Sequence, residues 1–218
     1  MNRNLIIAIF LLLGVGLVML KSPVHSEMAS AAAVNPFFSE SALPYHAPPF
    51  DKIKDSDYAP AIEEGMKKQL AEIEAIANST ETPNFANTFE AMERSGALLT
   101  RVTKVFFNLT AANTSETLQK IKSDEAPKLA AHSDAIFLNA KLFARVKSLY
   151  EKRDALKLDP ESRYLVERYY KTFVRAGALL SEADKVTLRG LNQEEAKLKT
   201  QFEDNVLAGT LFDVTWPD

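Results

Sequence analysis

Residues 95–145, SGALLTRVTKVFFNLTAANTSETLQKIKSDEAPKLAAHSDAIFLNAKLFAR, carry the clearest structural signal in the chain. Apolar residues recur there at steps of three and four, which places them on one face of a helix. The first such stripe consists of Leu98, Leu99, Val102, Val105, Phe106 and Leu109. Asn113-Thr114-Ser115 interrupts the pattern, which resumes from Leu118 to Val146. The stretch therefore predicts a long amphipathic helix, a short polar break and further helices that turn back towards the first.

Composition and charge are those of a soluble globular protein. The 218 residues are 46% hydrophobic and 25% charged, and this length can bury a core in one domain, two at most. Seven glycines are too few for a sandwich or barrel with many tight turns. Lysine and arginine alternate with acidic residues at a net charge of −3. We therefore expect no nucleic-acid partner.

The N-terminus has the pattern of a secretory signal peptide. Arg3 precedes an apolar run from Leu5 to Leu20, which as a helix spans about 24 Å, short of a bilayer's hydrocarbon core. Small residues at 29–33 match a signal-peptidase site. We predict that residues 1–33 are a cleaved signal peptide and that the mature chain is exported to the periplasm, with no membrane contact after signal removal. An uncleaved anchor that tethers the chain to the membrane is the alternative. Without cysteine, no disulfide can form.

Residues 34–54 are rich in proline and aromatic residues and lack a helical period. Their four prolines disfavour a helix. We predict an extended arm, with a proline-rich ligand for a partner protein as the alternative. The predicted anchors of the arm on the helical body are Phe37, Phe38, Leu43, Tyr45 and Phe50.

Helix signals follow one another from residue 55 to residue 208. The first helix should start near Ser56 or Asp57 and end at Asn78. The second should open at 84–87, where Asn87 and Glu90 have capping-box spacing, and continue through the stripe that ends at Leu109. Gly96 would then lie inside a helix, at a cost of about 1 kcal/mol against alanine, which a close helix–helix contact would explain.

Later start signals divide the remainder into further helices. Asp124-Glu125-Ala126-Pro127 places acids and a proline in a first turn, Asn139 is a break or cap, and Asp159-Pro160 is an N-cap followed by proline. Ser181 and Asp184 have capping-box spacing before a helix that should run to about Ala208. Its stripe comprises Leu188, Leu191, Leu198, Phe202 and Val206. Since no segment shows a sustained period of two, we predict an all-α, mostly antiparallel helical bundle.

Few residues could carry chemistry. His25, His46 and His132 have no second histidine three or four residues away, so no helical zinc pair can form. We interpret His132 as a half-buried bundle residue. The nucleophile-elbow and phosphate-loop motifs are absent. Three carboxylate pairs fall on predicted polar faces: Glu63-Glu64, Glu72/Glu74 and Glu194-Glu195. We therefore predict no catalytic, cofactor-binding or metal-binding residue.

Three blocks resemble the N-terminal third of the peptidyl-dipeptidases in the thimet oligopeptidase-like family of zinc metallopeptidases. The first block runs from Asn35-Pro36 to Phe50-Asp51, and the second from Ser95-Gly96 to Phe107. The third and most specific begins with Phe173-Val174-Arg175-Ala176-Gly177-Ala178 and continues through Ala183-Asp184-Lys185, Leu191-Asn192, Phe202 and Asn205-Val206-Leu207. The resemblance extends from about Asn35 to Ala208.

This resemblance implies a two-lobed, all-α peptidase with a deep channel. The helical region 55–208 would be its N-terminal part and would supply one wall, so that short unfolded peptides are the partners of the intact enzyme. Intact members bind zinc through a His-Glu-x-x-His helix and a downstream glutamate, and peptidyl-dipeptidases release dipeptides from the C-terminus of oligopeptides. The motif has no counterpart in this sequence. We therefore expect the chain alone to bind no zinc and to be inactive.

Residues 209–218 depart from the family pattern and form a divergent tail, which predicts a frameshift, a premature stop or a truncated gene model. If an interdomain face is exposed, apolar residues of the central helices should form a large patch and make solubility marginal. A stand-alone exported helical module that binds peptides or a partner subunit is the alternative function.

Overall fold

The computed structural model describes residues 34–209, which contain helices and no β-strand. The all-α prediction is confirmed for this part of the chain, whereas the predicted signal peptide and residues 210–218 of the predicted tail lie outside it. Two 3-10 turns, Pro36–Phe38 and Pro44–His46, precede the helices, and a π-helical turn, Ala86–Glu90, leads into the second helix. The helices are α1 Asp55–Ala77, α2 Ala91–Arg94, α3 Ala97–Ala112, α4 Glu116–Phe137, α5 Ala140–Glu151, α6 Pro160–Arg175 and α7 Glu182–Gly209.

Two hydrophobic cores share α1. The first core joins the arm, the N-terminal half of α1, α3 and the start of α4, and its centre is Tyr58, whose ring lies 5.3 Å from the rings of both Phe37 and Phe106. The second core joins the C-terminal half of α1 to α5 and α6. There the ring of Phe173 lies 5.1 Å from that of Phe137. Because α1 contributes to both cores, it ties the two halves of the bundle together.

The prediction of an unbroken helix through Gly96 is wrong. Gly96 separates α2 from α3 and has φ +73°, a left-handed conformation that favours glycine. Its N–H donates a 2.7 Å hydrogen bond to the Glu72 carboxylate of α1, and a Cβ at this position would clash with the Gln69 side chain. The predicted close contact between helices is therefore present, but it lies at a break between two helices.

The second helix opens within residues 84–87 as predicted, but its cap differs from the prediction, and the predicted start at 124–127 is wrong. The reciprocal cap at the second helix joins Asn84 and Asn87, at 2.8 and 2.9 Å, in place of the predicted pair Asn87 and Glu90. Residues 124–127 lie inside α4, which begins about two turns before Asp124, where the Ser115 hydroxyl accepts from the Leu118 N–H. Pro127 therefore lies in a helix interior, where it cannot donate the usual amide hydrogen bond.

The predicted caps that rest on purely local chemistry are confirmed. The Asn139 side chain accepts hydrogen bonds from two backbone amides at the start of α5, and the Asp159 side chain does the same at α6. The Ser181 hydroxyl accepts from the backbone amide of Asp184 at 3.1 Å. These side chains fix the starts of the last three helices.

The arm is anchored differently from the prediction. Phe37 is buried in the first core, whereas the other four predicted anchors, Phe38, Leu43, Tyr45 and Phe50, are all exposed. Polar bonds complete the attachment, since the Asn35 amide donates to the Asp57 carbonyl at 2.7 Å and Arg101 donates to the Phe37 carbonyl at 2.8 Å. Phe37, the partly buried Ile53 and two side chain–backbone bonds therefore attach the arm.

Two helical glycines should respond oppositely to alanine. A Cβ at Gly65 in α1 would lie 2.8 Å from the Cα of Leu99 in α3. Since that atom is backbone, α3 must shift, and we expect Gly65→Ala to lower the free energy of unfolding by about 1–3 kcal/mol. Gly190 in α7 has open space around it, so Gly190→Ala should raise this free energy by about 0.5–1 kcal/mol. Urea denaturation measures both, and equal effects would contradict the described α1–α3 contact.

Candidate docking surface

α7 packs on α4 through polar side chains. Lys122 of α4 pairs with Glu203 at 2.9 Å and with Asp204 at 3.5 Å, and Asn192 of α7 donates a 2.7 Å hydrogen bond to Asp134 of α4. Every residue of α7 is described, and its buried residues are Lys185 and Thr200. The side of α7 that faces the bundle is therefore mostly polar.

The apolar stripe predicted for α7 exists, and apart from Leu188, which is half-buried, it faces solvent. Leu191 is 62% exposed, Leu198 53%, Phe202 68% and Val206 49%. We call these four residues the α7 stripe. The expectation that an exposed patch would come from the central helices is wrong, because the apolar residues of α3 pack mostly into the first core. The exposed patch lies instead on the last described helix.

The α7 stripe forms an open surface to which α7 alone contributes residues. Leu191, Leu198 and Phe202 line it, with Glu194, Glu195 and Lys199 also at its edges. An apolar floor flanked by charges of both signs is typical of a protein–protein contact surface. Such a surface can hold another apolar face.

His132 is buried rather than half-buried as predicted. Its Nε2 lies 2.7 Å from the Oε1 of Gln69 in α1, and its Nδ1 is buried with no hydrogen-bond partner. Burial lowers the pKa of His132 below its ordinary value. His46 is exposed in the arm, with Nδ1 3.0 Å from the Ser41 carbonyl oxygen. His25 lies outside the described residues.

The buried His132 predicts a pH dependence of stability. A histidine with a lowered pKa binds fewer protons in the folded state than in the unfolded state, so its contribution to stability is full above the unfolded pKa and is lost as pH falls below it. The free energy of unfolding should therefore drop from pH 7 to pH 5 less steeply in His132→Gln than in wild type. Burial raises the pKa of Asp134, so protonation of Asp134 changes the free energy of unfolding in the opposite direction as pH falls. Urea denaturation should therefore compare variant with wild type, and identical slopes would contradict the prediction.

The paired carboxylates mostly lie on the surface, and those with a partner have structural roles. Glu63 is exposed and pairs with Lys128, as does the buried Glu125, whose carboxylate lies 2.8 Å from the Lys128 ammonium. These hydrogen bonds raise the pKa of Lys128. The sequence pattern did not single out Glu125, because its neighbours resemble a first helical turn.

Across residues 34–209, no three His, Cys, Asp or Glu side chains converge to fit a metal ion, so this region does not fit a zinc site.

Comparison with known proteins gives close relatives that are much longer than this chain. Over 178 residues, 82% of the chain, it is 48% identical to the dipeptidyl carboxypeptidase of Salmonella typhimurium. Over 175 residues it is 49% identical to the dipeptidyl carboxypeptidase of Escherichia coli K12, and each match covers 26% of the relative. It is 26% identical over 163 residues to the organellar oligopeptidase A of Arabidopsis thaliana, of which it covers 20%. No protein-family model matches the chain.

The chain thus spans about a quarter of the length of the curated relatives it matches. The match is to an N-terminal fragment of dipeptidyl carboxypeptidase, which confirms the resemblance and its restriction to the N-terminal region. Among the described residues, no helix has the length and apolar character needed to cross a membrane.

Proposed function

The chain is homologous over four fifths of its length to an N-terminal fragment of dipeptidyl carboxypeptidase, and from this we propose that it is the N-terminal helical part of such a peptidase. In this role it forms one wall of a channel that admits short unfolded peptides, and the intact enzyme releases dipeptides from their C-terminal ends. The identity of 48–49% over more than 170 residues carries the proposal.

The chemistry of this enzyme would belong to a part outside the chain. The family resemblance implies a zinc ion that polarises the scissile carbonyl and activates water. The described residues do not fit a zinc site, and as part of the channel wall they would bind and orient the peptide. We therefore propose that the 218-residue chain alone neither binds catalytic zinc nor hydrolyses peptides. Zinc-dependent hydrolysis by the purified chain would contradict this.

We propose that the mature chain acts in the periplasm after removal of residues 1–33. The charged start, the apolar run from Leu5 to Leu20 and the small residues at 29–33 support this. Mass spectrometry of the exported product tests it. A product that still carries Leu5–Leu20 would instead support the signal-anchored alternative.

A chimera tests the proposed function. In it, residues 34–209 of this chain replace the matched N-terminal fragment of the E. coli dipeptidyl carboxypeptidase. We expect the chimera to fold and to release dipeptides from oligopeptides, because nearly half of the matched residues are identical. The same relative without any N-terminal fragment is the control and should be inactive. A chimera that folds but releases no dipeptides would contradict the proposed function.

A stand-alone helical module that binds peptides or a partner subunit is the second candidate. Its support is that two hydrophobic cores share α1, so that the described helices could be stable without further chain. Isothermal titration of the 218-residue chain with oligopeptides separates the two candidates. Tight binding by the isolated chain would favour the module, whereas binding that requires the rest of the relative would favour the peptidase fragment.

A further inference from the structure

We propose that the α7 stripe is the surface on which the remaining part of a dipeptidyl carboxypeptidase-type chain docks. This inference rests on the proposed function and names the partner of the surface described above. The partner face is apolar and spans about 22 Å, the length of α7 from Leu191 to Val206 at 1.5 Å per residue. Charged groups of both signs would surround it.

The orientation of α7 is the first observation that carries the proposal. An amphipathic helix on a finished globular domain buries its apolar face and exposes its polar face. In α7 the buried residues are Lys185 and Thr200, whereas the leucines and phenylalanine of the stripe are more than half exposed. This arrangement leaves apolar surface in water unless another surface covers it.

The length of the relatives is the second observation, and it identifies the occupant. The matched N-terminal fragment is 26% of each dipeptidyl carboxypeptidase, so about three quarters of each relative follows it. α7 is the last described helix, and in a relative the corresponding region would lead directly into that remaining segment. The stripe is therefore well placed to pack against it.

The charges beside the stripe specify the partner further. Glu194, Glu195 and Lys199 lie next to the apolar residues of the stripe. A partner that presents aliphatic or aromatic side chains between basic and acidic groups would match both features. Charges at such a rim contribute mainly to specificity and the rate of association, and the apolar centre contributes most of the affinity.

The test compares one stripe residue with one control residue in two protein contexts. Leu198→Asp places a charge at the centre of the stripe, and Val186→Asp places it on another side of α7, at a residue that is 66% exposed. In the chimera, Leu198→Asp should reduce dipeptide release by about tenfold or more, the loss typical of a charge in the centre of an apolar interface. Val186→Asp should leave this rate unchanged. In the 218-residue chain, neither substitution should lower the urea midpoint.

A chimera that keeps full activity and stability with Leu198→Asp would overturn the docking proposal. If the chimera is inactive without any substitution, that result counts against the proposed function and does not test docking. A capture experiment then tests docking. The tagged 218-residue chain, co-expressed with the remaining segment of the E. coli enzyme, should capture that segment, and Leu198→Asp should abolish capture. Failure of the unsubstituted chain to capture it would overturn docking.

Two further results would assign the stripe to another occupant and so overturn the proposal. Light scattering that shows a dimer of the 218-residue chain, converted to monomer by Leu198→Asp, would identify a second copy. Trp216 is the single tryptophan of the chain, so its emission reports on residues 210–218. A shift of that emission on Leu198→Asp in the 218-residue chain would show that these residues cover the stripe.

Discussion

Phe106→Ala should lower the free energy of unfolding by about 3–5 kcal/mol, whereas Phe107→Ala should lower it by less than about 1 kcal/mol. Phe106 is fully buried in the first core, with its ring 5.3 Å from the Tyr58 ring. Phe107, the next residue on the same helix, is 42% exposed. The first truncation leaves a cavity that the packed helices can fill only in part, and the second leaves a space that water fills.

The pair provides its own control, because both substitutions remove the same atoms from neighbouring positions of α3. Urea denaturation of the two variants and wild type gives the difference directly. A difference below about 1 kcal/mol would contradict the described register of α3, in which Phe106 faces α1, since truncation of a buried phenylalanine typically costs several times more.

Arg145→Ala should lower the free energy of unfolding by about 2–4 kcal/mol, because it removes a buried side chain and its three charge-assisted hydrogen bonds. The Arg145 guanidinium is buried and donates to the carbonyl oxygens of Ser79 and Glu81, both at 3.1 Å, and to the Asn87 side chain at 2.9 Å. One side chain of α5 thus bonds to Ser79 and Glu81 in the connection after α1 and to Asn87 at the start of the second helix.

Arg145→Lys separates the geometry of this contact from its charge. Lysine keeps the positive charge but lacks the planar set of donors that reaches three acceptors. We expect it to recover only part of the loss in urea denaturation. Hydrogen exchange of the amides at 79–87 adds a local readout and should increase in both variants. Unchanged exchange together with unchanged stability would refute the proposed role of Arg145.

The features that the sequence predicts well depend on local chemistry. Asn139, Asp159 and Ser181 bind backbone amides within three residues of themselves, so cap spacing is enough to identify them. The break at Gly96 depends on Glu72 and Gln69, more than twenty residues away. The start signal at residues 124–127 is not used, because α4 begins earlier at the Ser115 cap and continues through these residues. Neither outcome can be inferred from neighbouring residues alone.

The candidate docking surface shows the same division between local and distant information. Spacing at three and four residues correctly places Leu191, Leu198 and Phe202 on one face of α7. Periodicity does not show which surface covers that face, and here the bundle contacts a polar face through Asn192 and Thr200. A mostly polar contact surface carries no periodic apolar signal, so the exposure of the α7 stripe could be recognised only in the folded structure.

Dipeptide release by the chimera is the most direct test that this chain is the N-terminal part of a dipeptidyl carboxypeptidase-type enzyme. We predict a kcat/KM within about tenfold of the E. coli relative, which is ~1.4 kcal/mol in the barrier, and no hydrolysis by the 218-residue chain under the same conditions. Circular dichroism and the zinc content of the chimera establish that it is folded and loaded. A folded, zinc-loaded chimera that releases no dipeptide would contradict the account.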